Sequence, residues 1–137
     1  MSAENLAYAV VQVVHNFGAA AVVGGALAAR WLASADVRRQ RQLAWLVLAG
    51  WAAQAGSGAL FGAISLHFYG QFPDIHGTAV AALRVKVACA LAGFVIAALF
   101  LRRTDRWGEG ARRRAWNLLA ALAVVALAAA AFLRWFS

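Results

Sequence analysis

The sequence predicts an all-α fold: a polytopic membrane protein, single in domain, built as a bundle of four transmembrane helices. Three observations predict it. Of 137 residues, 64% are hydrophobic and 13% charged, with a mean hydropathy of +0.70. A soluble domain is about 45–50% apolar and about a quarter charged, so too little polar surface exists here to coat a water-soluble globule. The apolar residues fall into four runs, 6–29, 43–66, 78–101 and 115–133, each near the roughly 20 residues that a helical span requires. Finally, ten of the thirteen basic residues lie at or in the first and third connections.

The first span has Glu4 ahead of it and no basic residue before Arg30. That is the wrong sign for a signal-peptide n-region, so it is expected to remain as a helix, although Ala33-Ser34-Ala35 mimics a cleavage site. Helices in lipid associate through small residues that let backbones approach. The first span supplies Gly18, Ala21, Gly24 and Gly25, including the pairs Ala20/Gly24 and Ala21/Gly25. The second supplies Gly50, Gly56, Gly58 and Gly62, and the third chiefly Gly93. The fourth has alanine instead, with Asn117 as its internal polar group, and reads as scaffold. Trp31, Trp45, Trp107, Trp116 and Trp135 fall near span ends, as interfacial aromatic belts require, whereas Trp51 lies deeper.

The connections set the expected orientation. ADVRRQRQ (35–42) and RRTDRWGEGARRR (102–114) are arginine-dense, while HFYGQFPDIHG (67–77) carries aromatics and one acid. Cytoplasmic loops collect Lys and Arg, which places the arginine-rich connections inside a bacterial inner membrane, against anionic headgroups, and both termini outside. The net charge of +8 is thereby assigned to the lipid bilayer and no nucleic acid partner is expected. Cys89 is alone in the chain, admits no intrachain disulfide, and reads as a small buried hydrophobe.

Polar groups inside a bilayer are costly and face the bundle interior or a cavity. The first span carries Gln12, His15 and Asn16, the second Gln54, Ser57 and Ser65, and the third Arg84 and Lys86. His67, Asp74 and His76 lie at the outer rim. From the rise of about 1.5 Å per residue, His15 and Lys86 reach similar depths in the outer half. Arg84 and Lys86, two residues apart, point to opposite sides of a helix, so one is expected to face the centre and the other to snorkel. Gly18, one turn beyond His15, is expected to leave room beside the imidazole.

Imidazoles ligate haem iron, copper and zinc. A b-type haem between helices needs inward histidines, small residues against the ring and cations for its propionates. His15 with Gly18 and Gly58 meets the first two needs, and Arg84 or Lys86 the third, with His76 or His67 as a second axial ligand. Copper at the outer face, held by the three histidines and Asp74, is the competing use. Cu(I) conduction prefers thiolate and thioether ligands, and the sole methionine is Met1. No nucleophile–base triad, phosphate loop or paired-carboxylate site is visible. His15 can also simply bond a neighbouring helix or handle a proton.

Two segments carry a family resemblance. VVHNFGAAAVVGGALAARWL resembles the opening helix of the CopD-like (copper-resistance D) family and of the HemJ-type protoporphyrinogen oxidases, with a histidine, small residues, a glycine pair and an inner arginine. LRVKVACALAGFVIAALFLRR is similar to the CopD-like helix with its lysine in an L-x-x-K-x-A setting, and HemJ-type proteins place a lysine there too. The resemblance covers about the first 103 residues. It implies a four-helix membrane bundle; on the HemJ-type pattern it implies haem b with His15 and Lys86 functional, and on the CopD-like pattern copper handling. Where the HemJ-type helix runs into an aromatic segment ending Tyr-His, Trp31-Leu32-Ala33-Ser34 stands here.

The expectation drawn from these readings is a histidine-centred cofactor site in the outer half, holding haem b for electron transfer or a haem-dependent oxidation, with a redox protein or quinone as partner. Copper handling and a structural role, as a homo-oligomer or as an anchor subunit of a larger membrane complex, are the alternatives.

Overall fold

The computed structural model describes residues 2–136. Four long helices account for nearly all of them: α1 Ala3–Trp31, α2 Val37–Tyr69, α3 Thr78–Arg103 and α4 Glu109–Trp135, with a single 3-10 turn, Thr104–Arg106, between the last two. No strand occurs among the described residues. All four helices are long and apolar enough to cross a membrane.

α2 outruns its apolar run because capping residues, rather than hydropathy, set its ends. Asp36 accepts a hydrogen bond from the Arg39 N–H at 3.0 Å, an N-cap that draws most of the arginine-rich first connection into α2. Gly70 closes α2 in the left-handed conformation, φ 70°, which glycine adopts without steric cost. His67 therefore lies within the last turn of α2.

Each helix packs on its chain neighbours and α4 returns against α1, giving a ring in which α1 and α3 face one another across the diagonal. The α1–α2 and α3–α4 faces are more extensive than the two that join these hairpins. Large apolar side chains such as Phe17, Leu91 and Val95 stand exposed around the outside. That is the pattern of a surface facing hydrocarbon, where burying Leu in protein gains little over leaving it in lipid.

The core sits toward the arginine-rich end, where Val22, Ala26, Val47, Phe100, Trp116 and Leu119 pack together. Phe100 lies tilted on Trp116, ring centroids 5.0 Å apart. Trp116 is thus no belt residue: it is 1% exposed and donates from Nε1 to Gln40 Oε1 at 3.1 Å. The Gln40 amide in turn donates to Ala33 O at 3.0 Å and to Ser34 O at 2.9 Å, tying the first connection to α2 and α4. Trp31, Trp45 and Trp135 are exposed as a belt requires.

The glycines divide by phase. A methyl built on Gly50 would stand 2.8 Å from Val22 Cγ2 and 3.0 Å from Gly18 O, and one on Gly25 2.8 Å from Val47 Cγ2, so these positions carry the α1–α2 crossing. Gly24, Gly56 and Gly58 have open space beside them, so Ala21/Gly25 is the packed register and Ala20/Gly24 is not. Gly50→Val is expected to lower bundle stability by about 1–3 kcal/mol, the usual cost of overpacking. Gly56→Val should stay within about 0.5 kcal/mol of wild type. Unfolding midpoints in detergent would check the contrast.

Candidate functional site

The polar side chains of three helices meet on the diagonal between α1 and α3. His15 is half-buried on α1 and Ser57 buried on α2, while Lys86 reaches in half-buried from α3. Lys86 Nζ lies 2.9 Å from His15 Nε2, and His15 Nδ1 lies 2.7 Å from Ser57 Oγ. Ser57 Oγ also donates to Ala53 O at 2.6 Å.

These contacts assign the proton positions together. An ammonium has donors only, so Lys86 donates and Nε2 accepts; the ring proton then sits on Nδ1 and is donated to Ser57 Oγ. Ser57 uses its own proton on Ala53 O, which leaves a lone pair for the imidazole. The assignment follows from the network, as tautomers do, and it leaves no conflict.

Two further contacts hold the ring. Gln54 Nε2 donates to His15 O at 2.5 Å, fixing the backbone that carries the imidazole. Phe61 stands edge-on to the ring with centroids 5.7 Å apart, and Tyr8 stacks on Phe61 in turn at 6.2 Å. Beyond these, Tyr69 donates to Glu4, so α1 and α2 are stitched from rim to core. Gln12 Nε2 donates to Asn16 Oδ1 at 2.7 Å along the exposed face of α1.

The remaining candidates lie elsewhere. Arg84 is exposed, on the other side of α3 from Lys86. His67 is exposed and stands edge-on to Phe68, ring centroids 4.9 Å apart. His76 pairs with Asp74 at 3.2 Å, both largely in solvent. Gly18 sits one turn from His15, but the space beside it is taken by α2: an added methyl would meet Ala53 Cβ at 3.0 Å and Gly50 O at 3.1 Å. It brings two backbones together and offers no slot for a flat ring, and Gly58 borders open space.

For metal chemistry the donor set is thin. Among the described residues no three His, Cys, Asp or Glu side chains gather as a metal site. Ligation through His15 requires a nitrogen lone pair, and the one on Nε2 already accepts from Lys86. In this arrangement, then, the residues do not fit an axially ligated haem or a multi-histidine copper ion. What they fit is exchange of a proton between two bases. Comparison of the chain with protein-family models, curated proteins and solved structures gave no match.

In the sequence Ser57 and Gln54 stand only as polar groups of the second span. Their spacing, three residues apart on α2, is the signal that both face α1.

Proposed function

We propose that this chain is a multi-pass protein of a bacterial cytoplasmic membrane whose Lys86–His15–Ser57 line holds and passes a proton in the outer half of the bilayer. On this reading the arginine-rich connections are cytoplasmic, as their charge favours, and the centre supplies the acid–base element of a membrane electron-transfer or oxidation reaction. A quinone suits the partner's role, since its reduction takes up protons.

The observation that carries the reading is the 2.9 Å contact between Lys86 Nζ and His15 Nε2 across the bundle diagonal. A proton shifting along it converts an ammonium and a neutral imidazole into an amine and an imidazolium, with no other atom moved. Ser57 holds the far nitrogen, so the ring cannot rotate away from Lys86 during the transfer. The two residues in contact are also those that the HemJ-type resemblance selects.

Nitrogen-15 NMR of histidine-labelled protein in lipid tests this. One imidazole is expected to show an Nδ1-protonated tautomer whose Nε2 signal moves in Lys86→Met, while the signals of His67 and His76 stay put. Identical His15 shifts with and without Lys86 would overturn the reading.

A b-type haem ligated by His15 is the second reading, favoured by a histidine and a cation lying together at one depth. It requires Lys86 to release Nε2 and turn to a propionate. A Soret band in protein expressed with adequate haem, lost in His15→Ala, would establish it in place of the first.

A further inference from the structure

We infer that the arginine-rich end of the bundle holds a binding site for a phosphate group, with an anionic phospholipid headgroup as its source. A cleft of about 270 Å³ opens there between the C-terminal end of α1, the first connection and the first turns of α4. Its charged lining is Arg30, Arg112 and Arg113 against the single carboxylate of Glu109. Trp116 and Ala29, both buried, also line it. The volume is below the roughly 300 Å³ at which drug-sized pockets begin, and suits a headgroup better than a whole metabolite.

The arginines of this cleft have no carboxylate partner among the described residues. The carboxylate-bound arginines among the described residues are Arg39 and Arg41; Arg30, Arg112 and Arg113 have no acidic partner within 4 Å. Arg30 uses Nε on Asn117 Oδ1 at 2.5 Å, which props the guanidinium toward α4. Arg112 donates from Nη1 to Trp107 O, yet its Nε is buried with no hydrogen-bond partner. A partly buried guanidinium with no acidic partner is costly, and an anion in the cleft offsets its charge. No side chain caps the N-terminus of α4, so its first N–H groups and helix dipole add to the attraction. The polar alternative is spent: the Gln40 amide is used on Ala33, Ser34 and Trp116.

Basic pockets between spans on the cytoplasmic side bind anionic headgroups, and planar guanidiniums match phosphate oxygens in pairs. The site is independent of the histidine–lysine centre, which lies in the other half of the bundle.

Native mass spectrometry of the purified full chain, titrated with phosphatidylglycerol or phosphatidylcholine, reads the site directly. Wild type is expected to retain phosphatidylglycerol selectively. Arg112→Gln/Arg113→Gln should weaken that retention about tenfold or more, at about 1 kcal/mol per basic residue near a membrane. Arg102→Gln/Arg103→Gln, which removes as much charge from exposed positions at the same end, should leave it nearly unchanged. Arg113→Gln alone, at an exposed side chain, should give an intermediate loss. Excess inorganic phosphate that fails to displace the lipid supports the headgroup as source; displacement that still depends on Arg112 and Arg113 supports a phosphate site filled by a free anion. Equal losses in the two double variants, or no preference for phosphatidylglycerol over phosphatidylcholine, would overturn the site.

Discussion

Replacing Gly93 with leucine is expected to lower the unfolding midpoint of the bundle more than any other single packing change. A Cβ built on Gly93 falls against three atoms of the Trp51 indole, Nε1, Cε2 and Cζ2. Trp51 is 2% exposed and belongs to the core cluster, so its ring has no free direction in which to retreat. Overpacking of this kind costs about 1–3 kcal/mol and sometimes more, and a leucine must displace the ring or part α2 from α3. Trp51→Ala in the same chain should restore part of the loss, because the two changes exchange volume across one contact. A coupling of about 0.5–3 kcal/mol between them is the expected signature of touching residues. Chemical unfolding in detergent, run on the four proteins of the cycle, measures it. A Gly93→Leu protein that unfolds with wild type would mean that the indole is not seated on α3.

Removing His15 while keeping Lys86 is the second large effect. In His15→Phe the ammonium loses its acceptor at a half-buried position within the apolar span. A charge left inside a bilayer costs about 2.5–3.5 kcal/mol on insertion scales, so a loss of about 2–3 kcal/mol is expected. Deleting both groups in His15→Phe/Lys86→Met should be less damaging than His15→Phe alone, since a buried pair is harmed most by losing one partner. Ser57→Ala should cost about 1 kcal/mol, the worth of an ordinary hydrogen bond. The same unfolding measurement gives all three. Strict additivity of His15→Phe and Lys86→Met would show that the contact has no energetic weight.

The four helices were legible because a bilayer imposes a length and a composition on anything that crosses it, and those signals dominate this chain. The ends of α2 were less so, since Asp36 and Gly70 act through local geometry that hydropathy does not register. The common depth of His15 and Lys86 could be anticipated from connectivity and rise alone. Which of Arg84 and Lys86 turns inward could not, because it depends on how α3 is rotated in the ring. The glycines failed in the same way: Gly50 and Gly56 are alike in composition and differ only in the direction they face. Gln40 and Trp116 were hidden for another reason. Each stands beside arginines that mark a loop or an interface, yet the two satisfy one another's polar atoms and are buried.

The chain consists of two closely joined hairpins, α1–α2 and α3–α4, that meet along lesser faces, and the bond from Lys86 to His15 crosses the plane between them. The imidazole is therefore made with the first half and the ammonium with the second. Neither half alone has both bases. Docking of the halves makes the contact, and a parting of that plane would break it without breaking a helix.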